Sequence, residues 1–147
     1  MKKIIISTLF SVVYVFCAAQ SESDIFGEWF NEEKDAVVTI YKDGNSISGK
    51  TTWLKEPLDS KGNAKLDLKN PDEKLRSRKR MGLKIMHSFK YNDQENNWED
   101  GRIYDPKKGK LYGGTATLVN KNELKLKGYI ISMPFLGRTA TWTRKTN

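Results

Sequence analysis

Gly137-Arg138-Thr139-Ala140-Thr141-Trp142-Thr143-Arg144 lies almost at the end of the chain. It alternates small polar, β-branched and aromatic residues, the pattern of a strand with two different faces. A terminal segment frays unless something ties it down, so this strand needs a partner. The best match is Gly27-Glu28-Trp29-Phe30, near the other end. Together the two stretches read as the first and last strands closing one β-barrel.

The sequence between them fits that reading. Ala36 to Lys42 is rich in β-formers, Lys42-Asp43-Gly44-Asn45 carries an Asp-Gly turn signal, and Ser46 to Leu54 returns as the second arm of a hairpin. From Gly82 onward, Leu83, Ile85, His87 and Phe89 alternate with Lys84, Met86, Ser88 and Lys90, which places the first set inward. Asn97 to Tyr104 and Lys110 to Val119 flank the turn Asp105-Pro106-Lys107-Lys108-Gly109. Gly113-Gly114 predicts a bulge or sharp bend. Glu123 to Ser132 follows, and Pro134 to Gly137 reads as the last corner. Eight strands in sequence with mostly short turns imply antiparallel neighbours. The fold expected is all-β, an up-and-down eight-stranded barrel, with a two-sheet sandwich as the other solution. Trp29 and Trp142, near the two ends, favour closure.

One segment breaks the pattern. Lys55 to Met81 holds Pro57 and Pro71 and no strand signal, and loops of this length are usually functional or disordered. Asn70-Pro71-Asp72-Glu73 reads as an N-cap, a first-turn proline and acidic residues that open a short helix.

The N-terminus has a different character. Met1-Lys2-Lys3, an apolar run from Ile4 to Phe16, and Cys17-Ala18-Ala19 describe a secretory signal peptide cleaved after Ala19. The division expected is residues 1–19 as leader and 20–147 as one domain, exported to the periplasm or secreted, with no transmembrane segment after cleavage. Phe16 before Cys17 is too bulky for a lipidation motif. The mature chain would contain no cysteine and would rest on its packed core rather than on disulfides. Losing Lys2 and Lys3 lowers the net charge from +8 to about +6. An exported location argues against nucleic acid as the partner of these charges and leaves anionic envelope surfaces as the alternative.

Two resemblances rest on these residues. Gly27-x-Trp29 with a basic residue on the last strand is similar to the signature of the calycin superfamily, which includes the lipocalins. The resemblance implies that a basic side chain, Arg144 as first candidate and Arg138 as second, packs over Trp29 and closes the barrel base, a cation–π contact worth about 1 kcal/mol beyond area burial. The second covers nearly the whole mature chain. Gly49-Lys50, Trp53-Leu54, Asp67-Leu68-Lys69-Asn70-Pro71, Leu75-Arg76-x-Arg78, Gly101-Arg102-Ile103-Tyr104-Asp105-Pro106 and Leu136-Gly137-Arg138 resemble the bacterial family DUF2147. This likeness implies an exported lipocalin-like barrel and carries no assigned activity, so no catalytic residue follows from it.

Arg76-Ser77-Arg78-Lys79-Arg80 is the densest charge run, read either as a solvated loop or as an anion clamp at the barrel mouth. His87 is the lone histidine; on the inward face it reads as a hydrogen-bonded core residue. The chain offers no His/Cys cluster with metal spacing, Asp59-x-Lys61-x-Asn63 lacks the later ligands of a calcium loop, and no cofactor motif is present. No nucleophile–base pair emerges, so an enzyme is the weakest reading. Trp98, Arg102 and Tyr104 share one face of their strand, and either face could be inside. The function expected is binding of a small, partly apolar, anionic molecule. Arg76, Arg78 and Arg138 would hold its charge, Trp53, Tyr104 and Phe135 its body, with His87 nearby. The alternative is an envelope interaction or structural module with a side-chain-filled barrel, docking on a protein or an anionic surface through the Lys55–Met81 segment.

Overall fold

A computed structural model of the protein describes residues 20–146. The expected leader, residues 1–19, lies outside the described residues. Eight strands follow in order: β1 (Gly27–Phe30), β2 (Ala36–Asp43), β3 (Ser46–Leu54), β4 (Lys84–Asn92), β5 (Asn97–Asp105), β6 (Lys110–Asn120), β7 (Glu123–Ile130) and β8 (Met133–Arg144). Each pairs antiparallel with the next, and β8 returns to β1, giving the closed up-and-down barrel expected.

The closing seam is short, with only Trp29 opposite Arg144 and Phe30 opposite Thr143. Side chains reinforce it. Trp29 is fully buried and its indole N–H donates to the carbonyl of Ile25 at 2.8 Å. Ile25 ends a short 3-10 helix, Glu22–Ile25, at this end of the barrel. The Arg144 guanidinium lies 4.1 Å from the Trp29 ring centroid and donates to the carbonyls of Phe26 (2.7 Å), Asp24 (2.6 Å) and Lys121 (2.5 Å). One side chain thus joins the lead-in, the first strand and the β6–β7 turn. Gly27 has φ +124°, and a Cβ there would stand 2.9 Å from the guanidinium, so only glycine fits.

Above this plug the lower half of the lumen is packed solid. Ile40, Ile47, Met86, Phe89, Trp98, Ala116 and Leu124 form its core. Gly113 and Gly114 keep continuous register with both neighbouring strands rather than bulging. Their missing side chains make room for rings: a Cβ would meet Tyr129 at 2.2 Å from Gly113 and Phe89 at 2.7 Å from Gly114. The bulge lies opposite, in β5, where Asp100 has φ +58° and the register slips between Trp98 and Gly101.

Similar slips change the face of several side chains. In β4, Ser88 has φ +58° and an extra residue sits between Met86 and Phe89, so both of these point into the core. The expected inward set therefore fails at His87, which pairs with Arg102. In β3 the register jumps from Thr51 to Trp53, putting Trp53 opposite Val37 instead of in the lumen. The last corner is also displaced. The chain turns at Ile131–Ser132, and Pro134 to Gly137 already belong to β8. In the long loop, one 3-10 turn, Glu73–Leu75, is capped by Asp72, whose carboxylate accepts from the Lys74 amide at 3.0 Å. Asn70 is not that cap; its side-chain oxygen accepts from the Asp72 amide at 2.9 Å.

Trp29→Ala should cost about 3–5 kcal/mol in urea denaturation, the usual range for removing a fully buried tryptophan. A loss below ~1 kcal/mol would mean that the seam does not depend on it.

Candidate functional site

The upper half of the lumen is open. A cavity of about 810 Å³ begins above the core and opens at the end carrying the β1–β2, β3–β4, β5–β6 and β7–β8 connections. Its floor is apolar, with Val38, Leu126 and Trp142 shared with the core. Ile85, Ile103, Tyr112 and Tyr129 line the walls, and charge appears only towards the rim. Small-molecule sites span about 300–1,000 Å³, so the volume suits one ligand. The filled barrel weighed from sequence holds for the lower half and fails for the upper.

The rim is laced by ion pairs. Arg138 of β8 pairs with Glu32 of the β1–β2 turn. Lys107 reaches from the β5–β6 turn, halfway round the barrel, to Asp35 at 2.7 Å and Glu33 at 3.7 Å. This pair forms a strap across the mouth. Partial burial pushes the Asp35 carboxyl upward, but hydrogen bonds from Lys107 and Asn31 outweigh it and hold the group below its usual range. The bond to Asp35 raises Lys107 in turn.

The long loop braces the same rim around a buried carboxylate. Asp67 accepts from the Tyr104 hydroxyl (2.6 Å), the Asn70 side-chain amide (2.8 Å) and Arg78 (3.0 Å). Burial, and then the bond to Asp67, push the Tyr104 phenol up to about 12. Arg76 donates to the Asn70 carbonyl at 2.8 Å and pairs with Glu73 at 3.1 Å. The loop also lies hard against the β5–β6 turn. Gly109 has φ +67°, and a Cβ there would fall 1.8 Å from the Lys69 carbonyl oxygen.

The sequence-based site therefore splits. Tyr104 and Arg138 line the cavity, Tyr104 with its hydroxyl committed to the loop. Arg76 and Arg78 do not; they hold the loop to itself. Trp53 is 41% exposed on the outside, edge-on to Phe30 with centroids 6.0 Å apart. Phe135 is 80% exposed and lies outside the lumen. His87 stays out of both core and cavity, its imidazole held below the usual range by burial and by Lys84. Asp59 closes a turn, accepting from the amides of Lys61 and Asn63.

What the sequence reading missed is Arg80. It lines the cavity, and its guanidinium donates to the carbonyls of Leu66 (3.1 Å) and Pro106 (3.2 Å). No carboxylate among the described residues pairs with it. Nothing in the spacing of the basic run distinguishes Arg80 from Arg76 and Arg78; only the path of the loop does. Glu32, Asp35 and Lys107 gave no signal beyond turn composition.

A closed eight-stranded antiparallel barrel with one plugged end and one open end is a lipocalin-like barrel. It is similar to protein HP1028 of the human pathogen Helicobacter pylori, which belongs to the lipocalin family: TM-score 0.64, 20% identity, over 76% of this chain and 73% of that one. The chain belongs to the family described as "Uncharacterized protein conserved in bacteria (DUF2147)", whose model matches residues 27–144. No curated protein sequence matches it. Among the described residues no helix is long and apolar enough to cross a membrane.

Two outcomes test the brace. Arg78→Ala, which strips buried Asp67 of its cation, should cost about 1–3 kcal/mol of stability. Tyr104 should titrate in absorbance spectra near pH 12, a late component that Tyr104→Phe removes. Because folding raises this pKa, its contribution is complete below the ordinary tyrosine value of about 10 and disappears as pH rises towards 12. Wild type should therefore lose stability more steeply than Tyr104→Phe across that window.

Proposed function

We propose that this chain is a binding barrel for a small amphipathic molecule, apolar along its body and anionic at one end, acting outside the cytoplasm once residues 1–19 are removed. The observation that carries the reading is the open upper lumen, with its apolar floor and the uncompensated Arg80 guanidinium at its edge. An apolar body inserted to Trp142 buries surface at roughly 25 cal/mol per Å². An anionic head would then find Arg80, whose planar fork suits a carboxylate or phosphate. Fixed on two carbonyls, this guanidinium loses little freedom when it meets a ligand.

The Lys107–Asp35 pair lies at the rim that a ligand would pass. An anionic head can replace Asp35 on Lys107 as it enters, which favours anions at the mouth over neutral molecules.

The test is fluorescence titration with a dansylated fatty acid, its neutral amide analogue, and native mass spectrometry for a one-to-one complex. Arg80→Gln should weaken the acid by about tenfold, or about 1.4 kcal/mol, and leave the amide unchanged. Folded wild-type protein that binds neither probe would overturn the reading. Lys107→Ala should speed both binding and release, read by stopped flow.

A further inference from the structure

Tyr129-Ile130-Ile131-Ser132-Met133-Pro134-Phe135-Leu136-Gly137 is nine residues without a charge, in a chain that is 30% charged. It forms the β7–β8 hairpin tip. Between the pairs Ile130–Met133 and Tyr129–Gly137, β8 carries three extra residues, Pro134 to Leu136, which bulge from the ladder. Pro134 has no N–H to lose there. Every residue from Ile130 to Thr139 is exposed, Phe135 by 80% and Leu136 by 46%. Leu111, 52% exposed, adjoins Ile130 and Ile131 across a shallow groove.

A fold with room for aromatic residues inside has left its most exposed one at this tip. Contiguous apolar surface of this kind marks an interaction site. The charge around it says with what. Around the tip, Lys110, Lys125 and Lys127 are exposed and pair with no carboxylate among the described residues, whereas Lys108 and Arg138 face Asp105 and Glu32. Glu123 lies at the opposite end of β7, beside the closed base.

We infer that the β7–β8 tip docks this barrel on an anionic phospholipid surface. Ile131, Met133 and Phe135 enter the interface, while the lysines of β6 and β7 face the headgroups. Apolar insertion joined to basic attraction is how a peripheral protein binds reversibly, and either alone is weak. The mouth then sits at the membrane, because Ile130 and Leu136 of the tip also line the cavity. An amphipathic molecule could pass between bilayer and lumen without crossing water. The docking surface deepens the binding-barrel reading, yet it needs no occupied cavity, so the two can fail separately.

The experiment is cosedimentation with vesicles of phosphatidylglycerol and phosphatidylcholine, and with phosphatidylcholine alone. Wild type and Ile131→Ser/Met133→Ser/Phe135→Ser, purified alike from the native host, are compared. All three side chains lie outside both core and cavity lining. Wild type should bind the anionic vesicles, less as salt rises. The triple variant should bind at least about tenfold more weakly, and Lys110→Glu should weaken binding as well. Unchanged uptake of the dansylated fatty acid by the triple variant would show that the lumen is intact. Three results overturn the proposal: wild type that ignores anionic vesicles, binding that survives the serine substitutions, or a wild-type dimer in light scattering without lipid that those substitutions abolish.

Discussion

The structure depends on one contact, the Arg144 guanidinium over the Trp29 ring. A sheet becomes a barrel only if its last strand reaches its first, and here the first strand is four residues long. Two residue pairs of backbone ladder are too little to hold a seam against fraying. Arg144 adds hydrogen bonds to three carbonyls from two separate segments, the lead-in and the β6–β7 turn, and desolvates the indole from above. The base is thereby sealed, its orphan backbone acceptors are satisfied, and everything above it can be built as a cup.

Closure was legible in the sequence because it needs only residue types at the two ends: Gly27-x-Trp29 and an arginine. The strand pattern was legible for the same kind of reason. Which face each residue takes was harder. Alternation predicts faces only while the register runs unbroken, and it breaks near Trp53, Ser88 and Asp100. None of the three is a glycine or proline, so none announces itself. Each slip moves a residue across the wall, and that explains the fates of His87 and Trp53. Gly113-Gly114 misled in the opposite direction. A glycine pair can signal backbone freedom or absent bulk, and here the rings of Phe89 and Tyr129 required absent bulk.

The arginine run shows a second limit. Arg76, Arg78 and Arg80 are two apart in an irregular loop, and a sequence offers no reason to separate them. Their acceptors do. Arg78 meets buried Asp67, Arg76 meets Asn70 and Glu73, and Arg80 meets only carbonyls. A guanidinium on carbonyls keeps its full charge, whereas one on a carboxylate is neutralised. The stretch from Asp67 to Arg78, one of several that carry the family likeness, is thus largely a device for holding the loop. The loop then presents Arg80 to the lumen.

The two ends of the barrel solve one problem with opposite chemistry. At the base a cation binds neutral carbonyls that have nowhere else to go, and no incoming anion can displace them without opening the seam. At the mouth Lys107 crosses to Asp35 and Glu33, side chains that water can serve equally well. Exposed pairs of that kind are worth about 0–1 kcal/mol, a small barrier to exchange. A ligand carboxylate offers Lys107 the same partner chemistry that Asp35 does, so substitution at the strap is nearly even in electrostatic terms. The apolar walls beneath it then decide the balance in favour of whatever fills them.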